Sequence, residues 1–388
     1  MLKKSGKSVY EKHDSFATFV SNQADNILQT QKARAVRILK LERKTANSHD
    51  PALSKILQTV QEDLSKPETE KKDFNLSRMS AEEMVRLDDK DLPKYLYHRY
   101  RYQVFPKKKH IDAYPPYVQI EPTSICNYRC IFCYQTNPSF SNKKHGFMGS
   151  MTLPMFKNIV DQLLGNVEFI SISSRGEPFI CKDIVPMLEY CVDKFLSLKL
   201  NSNASLLTEE IAHAILAGGV QTCSFSVDAV DAELYSRMRV NGDLQQVIKN
   251  IEMFQEIKVK HYPDSKIITR ISGVYADDQQ DFKSMVGFLG SLVDQITFVS
   301  YNPWQNIYDQ PANCIDSPCS DLWRRVFLWH NGQANPCEND HKSTLSVGSL
   351  KDDSITELWQ SSAYAKIREA HSAQQRQQLE PCKKCTFT

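Results

Sequence analysis

The sequence of 388 residues lacks three features, and each absence excludes a class of protein. It has no run of eighteen apolar residues, so no membrane-spanning helix is expected. The N-terminal stretch MLKKSGKSVYEKHDSF has no apolar core of signal-peptide length, which indicates a cytoplasmic protein. With 48 basic and 46 acidic residues, the chain lacks the basic bias of a dedicated nucleic-acid binder. We therefore expect neither a membrane nor a nucleic acid among its partners.

Cysteine, by contrast, is abundant, with eleven residues in the chain. A reducing cytoplasm disfavours disulfides, so clustered thiols there indicate metal or cluster ligands. Three of them, Cys126, Cys130 and Cys133, lie in the stretch EPTSICNYRCIFCYQ. A four-iron cluster takes four protein ligands, so three thiolates in one short loop leave one iron open to a small molecule. A zinc-binding loop and chance clustering are the alternative interpretations.

A second set of cysteines lies near the C-terminus, at Cys319, Cys337, Cys382 and Cys385. Four thiolates form a complete ligand set for an iron–sulfur cluster. A structural zinc site uses the same donors and is an equal alternative for these four residues taken alone. Cys314 is a spare thiol nearby that could replace one of them.

Six strand-like runs alternate with helical periods, which predicts repeated βα units and a parallel sheet. The predicted strands are 117–121, 167–173, 197–201, 221–227, 267–274 and 295–300. Polar residues recur at every second position of these runs and therefore share one face. They are Gln119, Glu121, Ser171, Ser173, Lys199, Asn201, Ser224, Ser226, Arg270 and Ser272. A filled barrel would carry branched aliphatic residues inside, so a polar interior predicts a wet cavity for a polar ligand.

The first cysteine motif and its position after the first strand resemble the radical S-adenosylmethionine (SAM) enzymes. In that family the open iron chelates SAM, and the reduced cluster splits it to a 5'-deoxyadenosyl radical. The stretch SSRGEPF resembles the family's Gly-Gly-Glu-Pro motif, with Arg175 in place of the first glycine. The resemblance implies an α/β partial (β/α)6 TIM-like barrel. It also implies that Gly176, Glu177 and Pro178 help to bind SAM.

Later strand ends supply further candidate contacts to SAM. By resemblance or by inward position these are Asn201, Asn203, Ser226, Asp228 and Arg270. Asp228 or Asp231 has an alternative role as N-cap of a helix that begins near Ala232. Arg270 could pair with the SAM carboxylate or with an anionic substrate through its planar fork of donors.

The C-terminal cysteines and their surroundings resemble the auxiliary-cluster extension called SPASM, or its shortened one-cluster form, twitch. The resemblance rests on the stretches HNGQANPCEND, which contains Cys337, and VGSLKDDSITELWQSSAYAKIRE. The resemblance implies a second [4Fe–4S] cluster. Three parts are predicted: a helical N-terminal extension over 1–110, a radical SAM partial barrel over 111–305 and a small iron–sulfur domain over 306–388.

The spacing looks most like that of radical SAM dehydrogenases of the 2-deoxy-scyllo-inosamine dehydrogenase type. It implies a radical SAM oxidoreductase that converts a sugar or cyclitol alcohol to a ketone, with the auxiliary cluster accepting the electron. A flavodoxin- or ferredoxin-like electron donor is implied as well. A peptide or protein maturase, a sugar epimerase or dehydratase and a non-catalytic scaffold are the alternatives. The proton acceptor stays open among Glu121, Arg270, Tyr301, His330 and His341.

Overall fold

The computed structural model describes residues 16–45 and 51–388, which form two compact units. Residues 22–112 make one unit, and residues 16–21 with 113–388 make the other. The strands are β1 (Phe16–Ser21), β2 (Tyr117–Ile120), β3 (Arg129–Cys130), β4 (Phe169–Ile172), β5 (Ser197–Ser202), β6 (Val220–Ser226), β7 (Arg239–Val240), β8 (Ile268–Tyr275), β9 (Gln295–Ser300), β10 (Arg325–Leu328), β11 (Gln333–Asn335) and β12 (Gly348–Ser349).

Helices occur in both units. They are α1 (Ile27–Thr45), α2 (Pro51–Ser65), α3 (Arg78–Val85), α4 (Leu92–Lys108), α5 (Pro138–Ser141), α6 (Leu153–Leu163), α7 (Ile184–Tyr190), α8 (Glu209–Ala217), α9 (Ala232–Met238), α10 (Leu244–His261), α11 (Phe282–Leu289), α12 (Ile355–Gln360) and α13 (Ser362–Ser372). Among the described residues, no helix combines the length and the apolar character that crossing a membrane requires.

The six predicted strands are all present and form the parallel centre of a ten-stranded sheet. The order is β1-β9-β8-β6-β5-β4-β2-β10-β11-β12, and β9, β8, β6, β5, β4 and β2 run parallel to one another. A helix follows each of β4, β5, β6 and β8 before the next parallel strand. The α/β partial-barrel prediction is confirmed, and the carboxyl ends of these strands meet at one edge, where barrel sites are built.

The alternating pattern of the strands decides which face meets the helices. Val118, Ile170, Leu198 and Ile271 are fully buried on the apolar face. Helix α6 presents four buried apolar residues at helical spacing, Phe156, Ile159, Val160 and Leu163, and Thr152 caps its first turn by accepting a bond from the Met155 amide. Full burial of each such side chain contributes about 1.5–3 kcal/mol.

One edge of the sheet differs from the prediction. Residues 16–21, expected to be helical, form β1, which pairs antiparallel with β9. The aromatic and β-branched residues of FATFVS favour a strand, and pairing removes the exposed edge that β9 would otherwise present. The helical prediction for 1–110 is therefore wrong for this segment, whereas 22–112 contains α1 to α4. Residues 1–15 and 46–50 lie outside the described residues.

The unit of residues 22–112 has its own apolar centre. Its buried side chains include Ala35, Val60, Met84 and Leu96. Asp63 organises the turn after α2, because one carboxylate oxygen accepts bonds from two successive backbone amides at residues 73 and 74, each at 3.1 Å.

The opposite edge of the sheet is built by the C-terminal part of the chain. Strand β10 pairs parallel with β2, and β10 and β11 form an antiparallel hairpin. Gly332 lies in the turn of that hairpin with a φ of 86°, a conformation that favours glycine. Helix α12 begins with a capping box formed by Ser354 and Glu357. The sheet is thus continuous across the predicted boundary at residue 305, and that boundary stays a prediction.

Candidate active site

The loop that carries the first cysteines leaves β2 at the carboxyl edge of the sheet. Thr123 and Ser124 hold its start, because the Thr123 hydroxyl donates to the Gly149 carbonyl oxygen and the Gly149 amide donates to the Ser124 hydroxyl, each at 2.9 Å. Its centre is held by the short pairing of β3 with β7, in which Cys130 lies opposite Arg239. The loop is therefore positioned by bonds to segments that are remote in sequence.

Cys126, Cys130 and Cys133, here called the first cysteine site, line one cavity of about 440 Å³. Burial raises the pKa of Cys126, and the charges of Glu177, Cys133 and Cys130 raise it further, as expected for thiols that lie close together. Within the described ranges, no three His, Cys, Asp or Glu side chains are grouped so as to hold a single metal ion. The fit to a cluster therefore rests on the shared cavity and on the soft thiolate donors.

The Gly-Glu-Pro segment lies against the start of the same loop. A Cβ atom at Gly176 would come within 2.4 Å of the Thr123 carbonyl oxygen and 2.5 Å of that of Ile125. The Glu177 amide donates to the Ile125 oxygen at 2.9 Å. Only glycine permits this approach of two backbones. Pro178 is buried and opens a short 3-10 turn after the segment.

Glu177 is a buried carboxylate that lines the cavity. It accepts bonds from the Ser202 hydroxyl and the Asn203 amide, each at 2.7 Å. Burial raises its pKa to about 7, against the lowering effect of these bonds. A cation placed beside it would favour the ionised form, so the position suits an ammonium group.

Three further predicted residues, Asn201, Asn203 and Ser226, line the cavity as well. Asn203 donates to the Asn127 side chain at 3.0 Å. The Asn201 side-chain oxygen is buried and has no hydrogen-bond partner among the described residues. A buried acceptor without a partner is costly, so this oxygen fits a donor of a bound ligand.

Two residues predicted to contact SAM, Asp228 and Arg270, do not line this cavity, and their assignment to SAM stays a prediction. Asp228 forms an ion pair with Arg239 at 2.5 Å and accepts a bond from the Val274 amide at 2.7 Å. Arg270 donates twice to the Gln295 side-chain oxygen, at 2.8 and 2.6 Å. It is the third residue of β8, below the strand end where the cavity opens. Neither lies among the cavity-lining residues, and Asp231 is the residue that caps α9.

Arg239, which the sequence analysis did not single out, lies between Asp228 and the first cysteine site. Its guanidinium is buried and donates to the Cys130 sulfur at 3.7 Å. Asp228 therefore acts on the cavity through Arg239. Hydrogen bonds to cluster sulfurs are one of the means by which proteins tune cluster potentials.

Arg175 replaces the first glycine of the family motif and joins two parts of the chain. It forms a buried two-pronged bond with Glu121 and donates to the His341 carbonyl oxygen at 2.9 Å. Its guanidinium lies 4.1 Å from the centre of the Trp329 ring. Although burial opposes ionisation of Glu121, Arg175 and His330 lower its pKa to about 2. Glu121 is therefore ionised at neutral pH and is already bonded to Arg175 and His330.

The four C-terminal cysteines, here called the second cysteine site, converge. Cys319, Cys337 and Cys385 line a small cavity of about 20 Å³. Cys382 is buried, and its carbonyl oxygen accepts a bond from the Cys385 amide at 3.1 Å. Cys314 is exposed and does not line this cavity. The four residues fit a complete set of cluster ligands.

The two cavities share three lining residues, Glu338, Asn339 and Phe387. Glu338 directly follows Cys337 and accepts a bond from the Gln119 side chain at 2.9 Å. It was missed because nothing in its local sequence distinguishes it from a surface glutamate.

Comparison with known proteins agrees with this arrangement. Residues 120–289 match the radical SAM superfamily model, and residues 319–386 match the SPASM model, described as an iron–sulfur cluster-binding domain. The chain therefore contains a radical SAM domain and a SPASM domain. A radical SAM domain binds a [4Fe–4S] cluster and SAM, and a SPASM domain binds further iron–sulfur.

The chain is also similar to individual proteins. AdoMet-dependent heme synthase of Methanosarcina barkeri is 29% identical over 143 residues, which are 37% of this chain and 40% of the relative. GTP 3',8-cyclase of Clostridium botulinum is 26% identical over 239 residues, 61% of this chain and 70% of the relative. The crystal structure of BtrN in complex with AdoMet and 2-DOIA has 15% identity and a TM-score of 0.49, covering 71% of this chain and 93% of that one.

Proposed function

We propose that the protein is a radical SAM oxidoreductase that oxidises a carbinol carbon of a polar small molecule, of sugar or cyclitol type, to a ketone. The observation that supports this most is that Glu338, Asn339 and Phe387 line both cavities. A substrate in the larger cavity would therefore touch SAM on one side and the surroundings of the second cysteine site on the other.

The bound cofactors supply hydrogen-atom abstraction at the first cysteine site and a one-electron acceptor at the second. The hydrogen atom leaves the carbinol carbon, the hydroxyl proton leaves to a base, and one electron passes to the second site. Two electrons and two protons are thereby removed from the alcohol, which leaves a ketone. A flavodoxin- or ferredoxin-like protein supplies the electron that starts the cycle.

Different residues of the cavity have different roles in this reaction. Buried Glu177 binds the SAM ammonium group, and the buried side-chain oxygen of Asn201, which has no partner among the described residues, accepts a hydrogen bond from SAM. Glu338 accepts a hydrogen bond from a substrate hydroxyl. Tyr134 and Phe387 give the cavity apolar surface that limits access of water to the reacting carbon.

The test uses the anaerobically reconstituted enzyme, SAM and dithionite. A panel of cyclitols, aminocyclitols and sugars carries deuterium at each carbinol carbon. We expect one substrate to give its ketone and 5'-deoxyadenosine in equal amounts, with deuterium in the 5'-deoxyadenosine. Cys130→Ala should abolish both products, whereas the exposed-thiol control Cys314→Ala should leave them unchanged.

Other outcomes contradict the proposal. Return of hydrogen to the same carbon with inverted configuration would identify an epimerase. Loss of water from the substrate would identify a dehydratase. If deuterium transfer occurs only from a peptide, the enzyme is a maturase.

A further inference from the structure

Arg376 is a fully buried guanidinium that lies against the second cysteine site. One terminal nitrogen donates to the carbonyl oxygens of Ser317 and Phe387, both at 2.9 Å. The other donates to those of Cys382 at 3.3 Å and Cys385 at 3.0 Å. Arg376 therefore holds the Cys382 to Cys385 turn from inside.

These bonds satisfy donors of the guanidinium but do not neutralise its charge. Within residues 16–45 and 51–388, Arg376 forms no ion pair with an aspartate or glutamate, and its Nε has no partner. Arg175 and Arg239, the buried guanidiniums near the first cysteine site, are paired with Glu121 and Asp228. A guanidinium stays protonated, so a buried one requires an anion nearby.

The thiols of the second cysteine site are the groups on which this charge acts. Arg376 donates to the backbone of two of the four cysteines, Cys382 and Cys385, so its charge lies beside the cluster that these residues would hold. A cluster with four thiolate ligands is an anion whose negative charge grows by one on reduction. A fixed cation beside it therefore stabilises the reduced form more than the oxidised form.

Acidic groups near the site oppose this effect only in part. Asp321 lines the small cavity but is paired with Arg324 at 2.8 Å. Asp340 is buried, accepts bonds from the Thr344 and Leu345 amides at 2.9 and 2.7 Å, and does not line the small cavity.

We infer that Arg376 is the internal counter-cation of the second cysteine site and raises the reduction potential of the cluster held there. This inference rests on the proposed function, because it explains why that site accepts the substrate's electron. At the first cysteine site Asp228 already neutralises Arg239, so the two sites differ in fixed charge. Arg376 acts on the cluster through its charge alone and contacts neither substrate nor SAM.

The test is a redox titration of the full chain, monitored by electron paramagnetic resonance. Cys126, Cys130 and Cys133 are replaced by alanine so that the second cluster is seen alone. Arg376→Gln removes the charge, Arg376→Lys keeps it, and Arg368→Gln is the matched control. Arg368 is also buried and donates to two carbonyl oxygens, but its guanidinium lies over the rings of Trp359 and Tyr364.

We expect Arg376→Gln to shift the potential to a more negative value, Arg376→Lys to leave it near that of the parent protein, and Arg368→Gln to shift it less than Arg376→Gln. An unchanged potential in Arg376→Gln at full iron content would overturn the inference. If Arg376→Gln does not retain iron, Arg376→Lys decides: an unchanged potential supports the inference, and a negative shift or loss of iron overturns it. A parent protein without a redox-active cluster at this site would instead overturn the proposed function.

Discussion

Arg175 and Glu121 form a two-pronged ion pair in which Nε lies 2.6 Å from one carboxylate oxygen and the second guanidinium nitrogen 2.7 Å from the other. Both side chains are almost fully buried. The pair joins the carboxyl ends of β4 and β2, and Arg175 also reaches the backbone of His341 in the C-terminal segment. A residue that departs from the family motif thus connects the SAM motif to the loop after Cys337.

Removal of one partner of this pair should be strongly destabilising. Glu121→Gln or Arg175→Gln leaves an uncompensated buried charge, which costs about 3–5 kcal/mol. Anaerobic urea denaturation would measure the loss. The partly exposed pair of Arg237 and Asp277 is the control, since Arg237→Ala should cost only about 0–1 kcal/mol. Equal losses in the two cases would contradict the assigned role of the buried pair.

The same pair gives stability a specific pH dependence. The pKa of Glu121 is lowered to about 2 in the folded protein, so its contribution is fully present above its ordinary value of 4.5. It is lost as the pH falls from there towards 2. The difference in free energy of unfolding between the unsubstituted protein and Glu121→Gln, measured on the cluster-free protein, should be constant from pH 7 to 5 and shrink by pH 3. A difference that grows on acidification would show that the sign is wrong.

Gly176 should tolerate no side chain. In Gly176→Ala the new Cβ meets two carbonyl oxygens of the cysteine loop at 2.4 and 2.5 Å, so the loop must move. We expect 5'-deoxyadenosine formation to fall by at least about tenfold, because displacing reacting groups by about 1 Å lowers the rate of catalysis strongly. Gly287→Ala is the matched control, because nothing lies within 4 Å of its added Cβ. Similar activity in both variants would refute the close approach of the two segments.

Glu338 offers a test of where the substrate binds. Glu338→Gln keeps the shape of the side chain but removes a charged acceptor, and loss of a hydrogen bond to a charged group costs about 1.5–3 kcal/mol. We expect ketone formation to fall by about tenfold or more, while 5'-deoxyadenosine is still made without substrate. Parallel loss of both products would place Glu338 in SAM binding instead.

Features that depend only on residues close together in the sequence could be predicted from local patterns. The period of two along Val118 to Ile120 and its counterparts predicted six strands and their polar face, and the cysteine spacings predicted both sites. The roles of Arg175, Arg239 and Arg376 depend on partners brought together by the fold: Arg239 meets Cys130 across 109 positions and Arg175 meets His341 across 166. The pairing of β10 with β2 likewise depends on tertiary packing.

The error at β1 has the same physical origin. Residues 16–21 precede a long helical pattern, and only the free edge of β9, remote in sequence, selects a strand there.

Asp228 and Arg270 were assigned to SAM because they follow or lie within the correct strands. In the structure Asp228 is paired with Arg239 on β7 of the two-stranded sheet, and Arg270 is bonded to Gln295 on β9.

The most direct test is anaerobic reconstitution with iron and sulfide, an iron count, and incubation with SAM and dithionite. The proposed function predicts about eight irons per chain and steady formation of 5'-deoxyadenosine. Cys130→Ala should lower both, whereas Cys319→Ala should lower the iron content and spare SAM cleavage. Zinc at the second cysteine site would contradict the electron-accepting role. Absence of 5'-deoxyadenosine from a fully loaded first cluster would contradict radical SAM chemistry itself.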